Sequence, residues 1–308
     1  MPLKPTLISL FFIIILAGCT GRPRPVQQVQ GNTNPEGYYA LLSTDDLGVG
    51  QERFAFEVIQ PDGGVLASGP LVVHFYVSEQ GQSRPEGDAL ATYQTMAVTP
   101  GVKENTTVKD QISVRGIYAV PGFNFDQPGA WTATIQPDPS RTPFTQPISL
   151  EFNVAQHSAT PAVGEKAVRS PTPVGSTPAE LEAICSLDPP DDMHRVSADQ
   201  SLAAGRPFVL AFASPGYCRS RLCGPVTELV QSVEESYRGR LDFIHVEPYD
   251  LSQLHRGGLF ELVPSAQDWG LKTDPWVFVV DRSGRVAAKF EGNLSREELE
   301  RAIEKAIQ

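Results

Sequence analysis

Residues 207–225 read PFVLAFASPGYCRSRLCGP, and this stretch decides the fold of the second half of the chain. It starts with an apolar run from Pro207 to Ala213, which is typical of a strand buried on both faces of a sheet. It ends with Gly224-Pro225, which favours the start of a helix because proline fits the first helical turn. Cys218 and Cys223 lie between the two elements. We therefore expect both thiols near the N-terminal end of a helix.

The sequence that follows alternates between helix and strand patterns. Residues 226–237 carry apolar side chains at helical spacing, and residues 241–246 form the next predicted strand. A short helix, a two-strand hairpin and a last helix complete the pattern. Ser295 and Glu298 form a capping box at the start of that last helix. The pattern predicts an α/β domain over residues 181–308.

This order of elements, with cysteines between the first strand and its helix, resembles that of thioredoxin-like proteins. The resemblance is closest to extracytoplasmic thioredoxin-like lipoproteins of the broad TlpA-like type. Thr273-Asp274-Pro275-Trp276 stands where the family has its cis-proline. The resemblance implies a thioredoxin-like fold and thiol–disulfide exchange. It assigns catalysis to Cys218 and Cys223, and substrate binding to Asp274, Pro275 and Trp276.

The cysteine spacing departs from the family motif C-x-x-C. Cys223-Gly224-Pro225 keeps the start of the motif, but Val226 stands where its second cysteine should be. The second thiol is instead Cys218, five residues upstream. In a regular helix this separation is too long for a disulfide, so the pair can bridge only if residues 218–222 form a loop before the helix. Motif alignment favours Cys223 as the attacking thiol, and exposure favours Cys218, so the two roles stay open.

The predicted position of the thiols has a chemical consequence. A helix N-terminus carries partial positive charge and favours thiolate, and a second thiol within reach can resolve a mixed disulfide. Arg219 and Arg221 would stabilise thiolate further. Asp274 would act in the opposite direction, because a nearby carboxylate raises a thiol pKa. The alternative for Asp274 is a solvated side chain at a loop tip.

Other functions are compatible with the same cysteines. A structural disulfide in a non-enzymatic interaction protein is one. Copper binding is another, with Cys218 and Cys223 joined by His245 or His255, because soft thiolates suit Cu(I). A peroxiredoxin is disfavoured, since Pro215 stands where that family has Thr or Ser. The leading interpretation needs no cofactor and no metal.

The N-terminal half shows a different pattern. Short alternating runs such as 53–58, 71–77 and 130–135 are separated by turn signals, without a long helical period. This predicts an all-β, Ig-like sandwich over residues 37–155, acting as a spacer or a partner-binding module. Residues 156–180 are rich in Pro, Ser and Thr and are expected to form a linker or a loosely docked connection.

The N-terminus resembles that of bacterial lipoproteins. A short apolar run at residues 7–16 is followed by Leu16-Ala17-Gly18-Cys19, which resembles a lipobox. The resemblance implies a signal peptide over residues 1–18, acyl chains such as palmitate on Cys19, and a tether over residues 19–36. It places the protein on the extracytoplasmic face of the cell membrane, held by several acyl chains.

Composition narrows the possible partners. The 308 residues include 25 Lys and Arg against 36 Asp and Glu, a formal net charge of −11. The basic residues are scattered, which argues against nucleic acid binding. The expected partners are extracytoplasmic proteins with thiols or disulfides. With Cys19 used by lipid, an odd number of cysteines remains, and Cys185 is predicted to be a buried or incidental thiol.

Overall fold

The computed structural model describes residues 32–79, 81–95, 116–218, 220 and 222–308. The predictions for the signal peptide 1–18, for Cys19 and for most of the tether 19–36 lie outside these residues. Arg219 and Arg221 lie outside them too. In the part of the chain that is described, no helix is both long and apolar enough to cross a membrane.

The N-terminal part is a curled antiparallel sheet. Its strands are β1 (Tyr39–Leu42), β2 (Gly50–Ile59), β3 (Leu71–Glu79), β4 (Gln82–Thr95), β5 (Gly116–Phe125), β6 (Gly129–Ile135) and β7 (Ile148–Val154). They form one seven-stranded sheet of order β1-β2-β5-β4-β3-β6-β7. The long β4 pairs with both β3 and β5, and β1 lies against β7. The sheet therefore has a barrel-like shape.

Alternation along the strands builds the interior of this sheet. In β3, Leu71, Val73, Phe75 and Val77 are buried, as the two-residue side-chain period of a strand requires. Phe75 meets Phe54 of β2 edge-on, with 5.1 Å between the ring centroids, so strands distant in the sheet order share one core. The all-β prediction is confirmed for this part. The Ig-like assignment stays a prediction, because the strands form one continuous sheet.

The C-terminal part is an α/β unit. Its elements are α1 (Pro178–Ile184), α2 (Ala198–Ala203), β8 (Phe208–Phe212), α3 (Cys223–Tyr237), β9 (Asp242–Val246), α4 (Leu251–His255), α5 (Pro264–Asp268), β10 (Trp276–Val280), β11 (Val286–Glu291) and α6 (Arg296–Ala306). The sheet order is β11-β10-β8-β9, with β8 and β9 parallel and the other pairs antiparallel. This is the predicted thioredoxin-like order of elements.

Burial of β8 on both faces fixes the position of the loop that follows it. Val209 and Ala211 pack with the apolar faces of α3 and α6 in one cluster. Phe208, Leu210 and Phe212 face the opposite side and pack with Trp269 and Trp276. Because every residue of β8 is buried, the strand cannot shift along the sheet without exposing apolar surface.

The predicted linker contacts both the N-terminal sheet and the C-terminal part. The Asp46 carboxylate accepts hydrogen bonds from the backbone N–H groups of Ala159 and Thr160, at 2.7 and 2.9 Å. Further along, the Thr172 N–H donates to Ser197 Oγ at 2.7 Å. A capping box between Thr177 and Glu180 starts α1 at Pro178. The predicted boundary at 180/181 therefore falls inside α1. The N-cap of this helix belongs to the segment rich in Ser, Thr and Pro that was predicted to be a linker.

Buried charges connect the N-terminal sheet to the α/β unit. Arg53 of β2 pairs with Glu298 of α6 at 2.8 Å, and Lys289 of β11 pairs with Glu52 of β2 at 3.2 Å. All four side chains are at most 7% exposed. Glu291 accepts hydrogen bonds from the N–H groups of Asp45 and Asp46. The two parts are thus held by hydrogen-bonded ion pairs that are shielded from water.

Candidate functional site

The two predicted catalytic thiols meet where β8 leads into α3. Cys218 lies in the loop after β8, and Cys223 is the first residue of α3. The Cys223 N–H donates a hydrogen bond to Cys218 Sγ at 3.1 Å, and the two sulfurs lie within 4.8 Å of each other. Cys218 therefore lies at the N-terminal end of a 15-residue helix. The two cysteines can bridge only if residues 218–222 form a loop before the helix. The described residues of that segment, 218, 220 and 222, all precede α3.

The two sulfurs differ in exposure. Cys223 is fully buried, whereas Cys218 is half-buried. Cys185, Cys218 and Cys223 are all free thiols in this structure. Cys218 is therefore the more accessible of these two cysteines.

The pKa values of the two thiols are shifted in opposite directions. Hydrogen bonds from the Cys223 side chain and N–H and from Ser220 lower the pKa of Cys218 to about 6, against the effects of burial and the Asp274 charge. The same contact with Cys218, together with burial and the Asp274 charge, raises the pKa of Cys223 far above its ordinary value. The accessible sulfur is thus the thiolate, and the buried sulfur keeps its proton.

Asp274 is part of the site. Its Oδ2 lies 3.1 Å from Cys223 Sγ, so the one Cys223 S–H proton is shared between Asp274 and Cys218, and its Oδ1 accepts a hydrogen bond from the Tyr249 hydroxyl at 3.1 Å. Its backbone carbonyl lies 3.0 Å from Ser220 Oγ, whose one proton can be donated there or to Cys218 Sγ at 3.5 Å, and the Asp274–Pro275 peptide bond is cis. Asp274 is 9% exposed. It is therefore a buried partner of the thiols, and the alternative of a solvated loop tip is wrong.

We expect Asp274→Asn to shift the pH dependence of thiol alkylation. Removing the negative charge should lower the pH midpoint for Cys218 by about one unit, because an adjacent carboxylate disfavours thiolate. The measurement is the rate of iodoacetamide modification between pH 4 and 9. Asp281→Asn is the control, since Asp281 lies beyond the opposite end of β10. An unchanged midpoint in Asp274→Asn would show that this charge does not tune the thiols.

Trp276 does not lie beside the sulfurs as a substrate-binding group. It is 2% exposed, its ring stacks on Phe278 with 5.4 Å between centroids, and its Nε1 donates to Thr273 Oγ1. Its side chain belongs to the core under the sheet because β10 is buried on both faces. Contrary to the prediction, the Trp276 side chain therefore has almost no exposed surface with which to contact a substrate. Pro275, in contrast, directly follows the carboxylate that contacts Cys223.

An apolar surface adjoins the site. Leu259 is 75% exposed and Phe260 is 44% exposed, which is unusual for large apolar side chains. The Phe260 ring lies edge-on against Tyr249 at 5.1 Å, and Tyr249 in turn binds Asp274. The exposed apolar residues are thus connected to the thiol site through one tyrosine.

The histidines proposed as copper ligands are not brought to the two thiols. His255 is exposed, with its ring 6.0 Å from that of Tyr217. His245 is fully buried and belongs to a separate cluster with Cys185, Asp191 and His194. The third donor group beside Cys218 and Cys223 is the Asp274 carboxylate. A hard oxygen donor suits Cu(I) less well than imidazole does, so the structure gives no support to the copper site in its predicted form.

Sequence reasoning missed the cluster around His245. Cys185 is buried as predicted, but it lies against Asp191, and Asp191 binds His245 Nδ1 at 2.7 Å. Burial is the largest single effect and opposes a charged imidazole, but the hydrogen bonds to Asp191 and Cys185 and the charges of Asp191 and Glu247 together outweigh it and raise the pKa of His245 to about 10. The sequence signal was the run of Cys185, Asp191 and His194 within ten residues. The fourth member is 51 positions further along and could be found only from the fold.

Comparisons with known proteins give weak similarities. No protein-family model and no curated protein matches the chain. A crystal structure of a putative thiol:disulfide interchange protein DsbE from Chlorobium tepidum is similar at 18% identity, with a TM-score of 0.32, covering 48% of this chain and 100% of that one. A thiol:disulfide interchange protein of the thioredoxin family from Chlorobium tepidum TLS is similar at 22% identity, with a TM-score of 0.26, covering 45% and 98%.

Proposed function

We propose that this chain is a membrane-anchored, extracytoplasmic thiol–disulfide exchange protein in which Cys218 attacks and Cys223 resolves. One observation carries the proposal. A half-buried sulfur with a pKa lowered to about 6 lies within 4.8 Å of a buried thiol that keeps its proton. The first is suited to attack a disulfide at neutral pH, and the second lies close enough to attack the mixed disulfide that results.

The first step is attack on a partner disulfide. The Cys218 thiolate bonds to one sulfur of the partner, and the sulfur–sulfur bond of the partner breaks. The other partner sulfur leaves as a thiolate and takes a proton from solvent. The product is a mixed disulfide between Cys218 and the partner. The positive end of α3 and the Cys223 N–H favour the attacking thiolate at this position.

The second step releases the partner. Asp274 Oδ2, 3.1 Å from Cys223 Sγ, accepts the thiol proton as Cys223 attacks Cys218. The Cys218–Cys223 disulfide forms, the bond between Cys218 and the partner breaks, and the partner sulfur leaves as a thiolate that takes a proton from solvent. Overall, the partner disulfide is reduced by two electrons and the cysteine pair is oxidised by two. The reverse sequence oxidises a partner dithiol, and the reduction potential of the pair decides which direction prevails.

The partners proposed are extracytoplasmic proteins with thiols or disulfides. The exposed Leu259 and Phe260 support this, because they offer apolar surface next to the site on which an extended polypeptide can dock. Pro275 and the backbone before it would contact that polypeptide. Lipid on Cys19 would hold the protein at the membrane, where disulfides persist.

Trapping of the mixed disulfide tests the exchange reaction. With intact insulin as the disulfide substrate, the reduced protein should reduce one disulfide per cysteine pair, Cys218→Ser should be inactive, and Cys223→Ser should accumulate a mixed disulfide at Cys218. Tryptic mass spectrometry identifies the linked cysteine. His255→Ala is the control and should keep full activity. If the parent forms its own 218–223 disulfide but never exchanges it with substrate, the bridge is structural and the proposal fails.

A further inference from the structure

We propose that Cys185, Asp191, His194 and His245 form a four-ligand zinc site in the α/β unit. Cys185 ends α1, Asp191 and His194 lie in the following loop, and His245 is in β9. The one-sulfur, two-imidazole, one-carboxylate set is separate from the thiol pair and does not depend on its proposed function.

The donor atoms of the four side chains are already gathered. One donor atom from each residue lies within 4.8 Å of all the others, and none of the residues is more than 4% exposed. In a tetrahedral zinc site, bonds of about 2.0–2.3 Å place ligand atoms roughly 3.3–3.8 Å apart. Cys185 Sγ is 3.6 Å from Asp191 Oδ2, and His194 Nε2 is 3.4 Å from Asp191 Oδ1. Both distances fall in this range, and they involve the two different oxygens of Asp191, of which one would bind zinc.

His245 is oriented as metal-binding histidines are. Its Nε2 lies 3.1 Å from the Ala213 carbonyl oxygen, which can only accept, so Nε2 carries a proton. Its Nδ1 therefore faces the cluster, 2.7 Å from Asp191 Oδ2. In the metal-free protein a proton fills that short contact. A zinc ion would replace this proton and move the two atoms a few tenths of an ångström apart.

His194 is buried with poorly satisfied ring nitrogens. It is 1% exposed, and its Nε2 makes an ion-pair contact with Asp191 Oδ1 at 3.4 Å, but neither ring nitrogen forms a well-aligned hydrogen bond to a described residue. A buried polar group without a hydrogen bond costs about 1–3 kcal/mol, and such groups are rare in folded proteins. Coordination of one ring nitrogen would remove that cost. The loop also holds Asp191 in place, since the Met193 N–H donates to Asp191 Oδ1 at 2.9 Å.

The combination of sulfur, nitrogen and oxygen ligand atoms in this cluster favours zinc over other metals. Calcium and magnesium require oxygen ligands, and Cu(I) prefers sulfur, whereas zinc accepts thiolate, imidazole and carboxylate together. Four protein ligands leave no open position for substrate, so the site is structural. It would fasten the loop after α1 to β9. Ser186, next to Cys185, accepts a hydrogen bond from the Gly216 N–H at 2.8 Å, close to Cys218.

Zinc titration of the full chain tests the site. The reduced, metal-stripped protein should bind one equivalent of Zn²⁺ with a dissociation constant of about 10⁻⁷ M or tighter, measured against a chromophoric chelator. Co²⁺ in its place should give the intense visible bands of a tetrahedral ion and a thiolate charge-transfer band. Bound zinc should also raise the melting temperature.

Matched variants separate the two thiol clusters. The Cys218→Ser/Cys223→Ser double variant should keep the zinc and the cobalt spectrum. Cys185→Ser should lose the charge-transfer band and bind zinc at least roughly a hundred-fold more weakly. His194→Ala should weaken zinc similarly, and near-ultraviolet circular dichroism of the metal-free variant verifies that it stays folded. No zinc binding by the parent, loss of zinc in the double variant, or retention in Cys185→Ser would each overturn the proposal.

Discussion

Iodoacetamide should modify Cys218 of the reduced protein at pH 7 roughly a hundred-fold faster than Cys223. The thiolate is the reactive form, and a pKa of about 6 leaves Cys218 mostly deprotonated at this pH. Cys223 is fully buried and its pKa is strongly raised, so it reacts only after local opening. Quantitative mass spectrometry of the two alkylated peptides over time gives both rates.

The rate at Cys218 should follow a single titration with its midpoint at about pH 6. It should fall about tenfold per unit at lower pH, because the thiolate is lost as pH drops through the pKa. Two substitutions of its neighbour test the cause. Cys223→Ala removes a hydrogen-bond donor and should move the midpoint upward, whereas Cys223→Ser keeps a donor and should move it less. Equal rates at the two cysteines, or a midpoint near 8.5, would contradict the assignment of Cys218 as the attacking thiol.

Local signals in the sequence were enough to predict the thiol site. The uninterrupted apolar run of β8 and the proline after Cys223 fix a strand and a helix start, and the cysteines must lie between them. The resemblance to thioredoxin-like proteins, in which a cis-proline lies beside the cysteines, assigned Thr273-Asp274-Pro275 to the neighbouring loop. What the sequence left open was the role of each cysteine. That depends on which sulfur is covered by β8, α3 and Asp274, and no short-range pattern reports such packing.

Features that depend on contacts between residues distant in the sequence could not be predicted, for the same physical reason. Trp276 was predicted to contact substrate because it follows the cis-proline. It is instead the first residue of β10, which is buried on both faces, so its side chain points into the core. The Pro-rich segment 156–180 looked flexible by composition, yet carboxylates such as Asp46 hold its backbone. The zinc ligand set spans Cys185 to His245, so only the pairing of β8 with β9 and the loop before it brings the ligands together.

Arg53→Met should lower the free energy of unfolding by about 3–5 kcal/mol, because it leaves a buried carboxylate without its partner. The Arg53 side chain is 7% exposed and that of Glu298 is 5% exposed. Two hydrogen bonds of 2.8 and 3.0 Å join them, and Arg53 Nη2 also donates to the Asn293 carbonyl at 3.0 Å. Urea unfolding of the full chain, followed by tryptophan fluorescence, measures the loss.

Two further variants make this result specific to the contact between the two parts. Arg240→Met removes an arginine whose pair with Glu304 is about half exposed on both sides, and it should cost at most about 1 kcal/mol. Arg53→Met/Glu298→Gln should recover much of the loss, since glutamine is neutral and still completes the capping box with Ser295. If Arg53→Met costs no more than Arg240→Met, the buried pair does not hold in solution. The N-terminal sheet would then be attached to the α/β unit through the 156–180 segment and the remaining contacts alone.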